Sequence, residues 1–377
     1  MACLARLGIE YDNLRAALVW LLRGQCPASG SRDSRLQTPN PELGARLVVA
    51  LEWFWVCRGD MNEGRQWMEE ALARLDSEPS AADPSTMSLR ARLLYGVGGF
   101  AWAQGDYAVA LARLEESVAV GRESGDKHSL AHSLALLGMA EATVGDYAQA
   151  HPHLDEGIAL FREMGDRWGL AWSLNHLGWS NLLQSNYPEA RSLFEESLAI
   201  WRELGDRWAL AVPLGNLGHM AVVQGDYAAA QSLLEEALAI KRELRDRWWI
   251  AMLLCNLGCV ALGQGDCGRA AALFEESLIL AQEHGDKRAV FTCLAGMAGV
   301  LDGQGQPERA VRLLGAVGAL REAMEVPLLP AGQVTYDHVV TMARTRLDEA
   351  TFAAAWAQGQ TMTVEQAVAC GLAAQCH

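Results

Sequence analysis

A chain of 377 residues with 51% hydrophobic residues, 11 prolines and a formal net charge of −15 excludes a disordered polymer and a polybasic binder of nucleic acid. Phosphate recognition needs clustered Lys and Arg, and the sequence has no such cluster. No apolar run reaches the roughly 20 residues that span a bilayer; the polar start after Met1-Ala2-Cys3 and nine unevenly spaced cysteines lead us to expect a protein of the reducing cytoplasm, away from membranes.

Residues 10–23 read as a helix, and 26–41, rich in Ser and Pro, as a polar loop. Leu43 to Cys57 and Asn62 to Leu75 read as a divergent helix pair, with Arg58-Gly59-Asp60 between them as helix stop and cap. A linker, Asp76 to Thr86, follows. These segments form a divergent N-terminal region, 1–84, ahead of a regular array at 85–325 and a helical cap at 326–377.

The array is announced by Gly-Asp-Tyr at Gly105, Gly145 and Gly225, with variants at Ser185-Asn186-Tyr187 and Gly265-Asp266-Cys267. A period of 40 residues means stacked copies of one supersecondary unit, a solenoid. Within one copy, Leu130, Leu134, Leu137 and Gly138 mark the buried stripe of a helix A, and Ala150, Leu154, Ile158 and Phe161 that of a helix B. Gly145 supplies the left-handed stop and Asp146 the next cap, and Gly165-Asp166 repeats the device. The fold class is therefore all-α, built of antiparallel helix pairs. Small residues fall where the pair touches: Gly138, Gly178, Gly218 and Gly258 against Ala150, Ala190, Ala230 and Ala270. Acidic pairs such as Glu115-Glu116 and Glu195-Glu196 read as a solvated face. Trp168, Trp208 and Trp248 recur with the same period and read as buried wedges between units, and Pro152 and Pro213 as local kinks.

Leu174, Leu177, Gly178, Ala190, Phe194 and Ser197 together resemble the tetratricopeptide repeat, with Leu174 at its position 4 and a unit six residues longer than the usual one. The resemblance implies a right-handed superhelix with helix A lining a concave groove. Tyr11-Asp12-Asn13-Leu14, Trp53-Phe54-Trp55 and, at the other end, Leu313-Leu314-Gly315, Trp356 and Glu365-Gln366-Ala367 resemble the MalT-like sensor region of LuxR-type and AfsR-like bacterial regulators. Neither a phosphate-binding Gly-Lys-Ser/Thr loop nor a recognition helix accompanies it.

Family positions 2, 5, 6 and 9 often hold a peptide backbone or a terminal carboxylate, and carried over they give His132 at 2, Asn175 at 5, His176, Asn216 and Asn256 at 6, and Trp179 and His219 at 9. Amides offer an extended chain both donor and acceptor. The Lys and Arg of the family's carboxylate clamp are missing from these positions. The alternative is that these side chains satisfy neighbouring helix ends. Cys255 and Cys259 stand one turn apart without a Cys-x-x-Cys knuckle, and Pro152 separates His151 from His153, so neither set is read as a metal site. No Ser, His and Asp set has a nucleophile context. The expectation is a scaffold with no catalytic role, no cofactor and no metal. It would bind a protein, a peptide or a small-molecule effector, as the sensor arm of a signalling or transcription regulator; the second reading is a self-association module forming a homo-oligomer.

Overall fold

The computed structural model describes residues 7–24, 40–58, 60–77 and 83–372, so Gly59 and positions 26–39 of the expected loop lie outside the described residues. The chain is all α-helix, in antiparallel pairs, and divides into two compact units at residues 1–176 and 177–377.

The first unit contains α1 (Tyr11–Arg23), α2 (Pro41–Arg58), α3 (Met61–Asp76), α4 (Pro84–Ala103), α5 (Tyr107–Ser124), α6 (Lys127–Val144) and α7 (Tyr147–Met164). Helix α8 (Arg167–Leu183) begins in it. The expected linker is shorter than the sequence suggests, because Pro84 opens α4 at its first turn, where its missing N–H costs nothing. Helices α4 and α5, and α6 and α7, form the hairpins expected from the repeat. A Cβ at Gly138 of α6 would stand 2.7 Å from Leu154 Cγ and 2.8 Å from the Ala150 carbonyl of α7, so only glycine admits that approach.

The second unit continues with α9 (Tyr187–Leu204), α10 (Arg207–Val223), α11 (Tyr227–Leu244), α12 (Arg247–Gly263), α13 (Cys267–His284) and α14 (Lys287–Gly303). It closes with α15 (Pro307–Ala323), α16 (Pro330–Arg346), α17 (Glu349–Gln360) and α18 (Val364–Leu372). Position-27 serines tie the layers: Ser117 Oγ donates to the Ala91 carbonyl at 2.7 Å, and Ser277 Oγ to that of Ala251 at 2.6 Å.

The stop-and-cap device holds at almost every turn. Gly125, Gly145, Gly165, Gly205 and Gly285 take positive φ, and Asp126, Asp146, Asp226, Asp266 and Asp286 accept from backbone N–H groups of the helix they open. Two caps depart. Asp106 makes no cap bond and receives Arg65 Nη2 at 3.1 Å, and Asn186 donates its amide to Asn181 Oδ1 at 2.9 Å. The acidic pairs face solvent as expected and link adjacent repeats, as in Arg122–Glu156 at 2.7 Å and Arg242–Glu276 at 3.2 Å. Exposed pairs of this kind contribute at most about 1 kcal/mol each. Helices α7 and α10 run uninterrupted through Pro152 and Pro213.

The tryptophans correct the wedge expectation. Trp248 is buried, Trp208 is half-buried, and Trp168 is 38% exposed. Their recurring position has a polar reason: Trp208 Nε1 donates to Asp246 Oδ2 at 2.7 Å and Trp248 Nε1 to Asp286 Oδ2 at 3.1 Å. The indoles of Trp208 and Trp248 thus reinforce the cap of the following repeat's helix A.

Candidate functional site

In the first unit, successive A helices bring a row of aromatic side chains onto one face. Arg92 Cζ lies 5.5 Å over the Tyr95 ring, and Tyr95 meets His132 edge-on at 6.0 Å between ring centroids. His132 continues to Trp168 at 5.9 Å, Trp168 to Trp172 at 5.8 Å, and Trp172 to His176 at 5.7 Å. Phe161 from α7 lies beneath, its ring edge-on to His132 at 4.9 Å. Tyr95, His132, Trp172 and His176 are half-buried, so their faces are supported from below and reachable from solvent.

Burial first, and then the neighbouring charge of His128, pushes His132 down to about 3; burial alone pushes His176 down to about 4. Both rings are neutral at pH 7, so the row carries no cationic charge of its own beyond Arg92. His176 Nδ1 is buried and bonds to nothing among the described residues. At the row's edge Glu52 faces Arg92 at 3.6 Å; burial raises its carboxyl to about 6 although Arg92 opposes the shift.

The second unit places its expected groove residues differently. Asn216 is 7% exposed, Asn256 5%, His219 2% and Trp179 4%, so the open groove face expected for them is not found. His219 Nδ1 donates to Asn256 Oδ1 at 2.7 Å, and Trp179 packs on the His219 ring at 5.4 Å. His219 Nε2 and Trp179 Nε1 are buried and unbonded among the described residues. Asn175, at the end of the first unit, is likewise buried at 2% exposure.

Helix α16 packs against α10, α12 and α14, three successive A helices of this unit. Its contact falls on the positions read as ligand-binding. A Cβ at Gly332 would stand 2.6 Å from Thr292 Cγ2, at position 2 of α14, and one at Gly299, position 9, lies 3.2 Å from Thr335 Cγ2. The Leu329 N–H donates to Thr292 Oγ1 at 3.4 Å, and Arg346 Nη1 clamps Asp302 Oδ1 at 2.8 Å. The A face of α14 is therefore occupied by the chain's own helix, which local periodicity could not foresee.

Two further clusters are structural in form. A cleft of about 270 Å³ between α5, α6 and α7 has Glu141 at its wall, where His153 Nδ1 approaches Glu141 Oε2 at 2.9 Å; burial raises the Glu141 carboxyl and the histidine opposes it. Cys255, Cys259 and Cys293 are buried thiols, and Cys293 Sγ donates to Ser277 Oγ at 3.1 Å. Hydrogen bonds from Cys259 and Cys293 together with burial push the Cys255 thiol well up, so it stays protonated and inert. Tyr95, Trp172 and His128 were missed in the sequence. Trp172 shares position 2 with His132, so its place on the A face was legible in the repeat register.

Hairpins of helices A and B, stacked with a side-chain row along the A face, define a helical-repeat architecture. Two family models described as tetratricopeptide repeat match the chain, one at residues 89–163 and 209–283, the other at 170–204. These segments of the chain are thus tetratricopeptide repeats. Two solved structures share the fold at TM-scores of 0.50 and above. NprR in complex with its cognate peptide NprX has a TM-score of 0.54 at 14% identity, over 91% of this chain and 96% of that one. The apo form of RapI gives 0.50 at 14% identity, over 72% and 97%. A STAND-class signal transduction ATPase with a tetratricopeptide sensor, PH0952 from Pyrococcus horikoshii, gives 0.47 at 13%, over 87% of this chain and 53% of that one. No curated protein matches the chain by sequence. No helix among the described residues is long and apolar enough to cross a membrane.

Proposed function

We propose that the chain is a non-enzymatic binding arm that takes an extended peptide segment of a partner on the A face of residues 1–176, and that it serves as the sensor arm of a cytoplasmic signalling or transcription regulator. The observation that carries the reading is the row Tyr95, His132, Trp168, Trp172 and His176, whose half-exposed rings are spaced at 5.7–6.0 Å. Rigid aromatic rings give a large contact area at low entropic cost, and neutral imidazoles offer an adjacent donor or acceptor to peptide amides. The solved NprR complex, of the same fold, holds a peptide, which supports the ligand class. The likeness of both chain ends to MalT-like sensor regions supports the regulatory setting.

The test is selection of binders from a displayed random-peptide library on the immobilised chain, followed by affinity measurement with the peptides obtained. Trp172→Ala should weaken them about 30-fold, the loss of a ~2 kcal/mol anchor. The Asn216→Ala, Asn256→Ala pair, buried in the second unit, should leave affinity unchanged. The opposite pattern would transfer the site to the second unit, and an absence of binders would remove the reading.

A further inference from the structure

His128 and His132 are four residues apart on α6, one turn, and so project from the same face. Asp166 enters from the next repeat as the N-cap of α8. Its Oδ1 accepts from the Gly169 N–H at 3.0 Å, and its Oδ2 lies 3.3 Å from His128 Nε2. The two imidazole rings are 4.6 Å apart at their centroids. One ligand atom from each of the three residues lies within 4.8 Å of the other two.

We propose that His128, His132 and Asp166 form a binding site for a first-row divalent cation of the zinc class. Two imidazoles and one carboxylate are a borderline donor set, suited to zinc, cobalt or nickel and poorly to the all-oxygen preferences of calcium and magnesium. Zinc holds such atoms at about 2.0–2.2 Å, which puts ligands of a tetrahedron roughly 3.3 Å from one another. Closing the cluster from its present spacing requires a movement of about 1.5 Å, and the His128 side chain, 54% exposed, has solvent on one side into which it can turn.

The other two ligands are already held. Phe161 and Trp168 pack His132 at 4.9 and 5.9 Å, and the Gly169 N–H fixes the Asp166 carboxylate from behind, the outer-shell support that orients metal ligands. Three protein ligands leave a fourth position for water or a donor group of a bound molecule. Trp168, 38% exposed, lies against His132 at 5.9 Å, which sets the cluster at the edge of the aromatic row. The cation would also join α6 to the start of α8, two elements not connected by a shared hairpin. The site stands whether or not the row binds peptide.

The experiment is titration of the full chain, purified free of metal, with zinc alone by calorimetry and with cobalt alone by visible absorption. One equivalent should bind, with a cobalt spectrum of tetrahedral type and no thiolate charge-transfer band. His128→Ala, an exposed substitution, should weaken binding at least tenfold. Asp166→Asn should do the same while retaining the cap, since asparagine caps as well as aspartate. No binding, binding insensitive to both variants, or a thiolate band assigning the metal to the cysteines would each overturn the proposal.

Discussion

Lys241 Nζ lies 3.1 Å from Asp246 Oδ2, and both side chains are fully buried. The ammonium also sits 3.4 Å from the Trp208 ring and 5.1 Å from that of Trp249. In the preceding repeats the same place, one period apart, belongs to Phe161 and Trp201, both buried. A cation therefore fills an aromatic slot, with Asp246 and two indoles compensating for lost hydration.

Removing one member of this pair should cost more than removing both charges. Lys241→Met should lower unfolding free energy by about 3 kcal/mol, because it strands a buried carboxylate. Adding Asp246→Asn, which keeps the cap acceptor for the Trp249 N–H, should recover a good part of that loss. Urea midpoints of the two variants decide it. A double variant no better than Lys241→Met would show that the pair does not act as a unit.

Arg245 ends α11 with φ 57° and ψ 33°, where the equivalent turns after α5, α7, α9 and α13 use Gly125, Gly165, Gly205 and Gly285. A side chain in the left-handed region costs about 1 kcal/mol that glycine avoids. Arg245→Gly should raise stability by about 0.5–1 kcal/mol, and Gly205→Ala should lower it by a similar amount. Thermal melts of both variants against the parent check the pair of signs.

The repeat frame was legible because its signals are local. Gly145 stops a helix and Asp146 caps the next within two residues, and Gly138 meets Ala150 across a single hairpin. The burial of His219 and Asn256, bonded across neighbouring repeats, was not legible, and neither was the docking of α16 on α10, α12 and α14, because nothing in the spacing of Pro330–Arg346 says where that helix returns. The aromatic row lay between these cases. His132 and His176 were found from repeat positions, whereas Tyr95 belongs to a helix without the Gly-Asp entry that marks the others, and His128 lies before position 1.

Acid should unfold the second unit partly through His219. Burial lowers its folded value to about 4 from an ordinary 6.5, with the Asn256 hydrogen bond opposing and the Arg288 charge assisting the shift. The folded state binds that proton less readily than the unfolded chain. The stabilisation is therefore complete above pH 6.5 and is lost as pH falls from there toward 4, by about 1.4 kcal/mol per unit. Glu52, raised to about 6, acts in the opposite direction and is common to both proteins compared. His219→Gln should reduce the slope of unfolding free energy against pH by about one proton between pH 6 and 4.5; an unchanged slope would mean the imidazole is already charged in the fold.

Two glycines of the second unit should respond to alanine with opposite sign. A Cβ at Gly359 of α17 would stand 2.0 Å from the Arg312 carbonyl oxygen and 2.8 Å from the Ala316 nitrogen of α15. Both obstacles are backbone, so relief requires the two helices to separate, and the packing of Phe352 and Ala355 against Val311 opens with them. At Gly268, in the first turn of α13, the nearest atom is Asp266 Oδ1 at 3.7 Å, an ordinary contact. Gly268→Ala should gain about 0.5–1 kcal/mol from helix propensity alone. Gly359→Ala should lose about 1–3 kcal/mol by overpacking and raise hydrogen exchange in α15 and α17. Equal effects at the two positions would show that the α15–α17 contact adjusts freely, and that the close approach at Gly359 is not what holds the end of the chain.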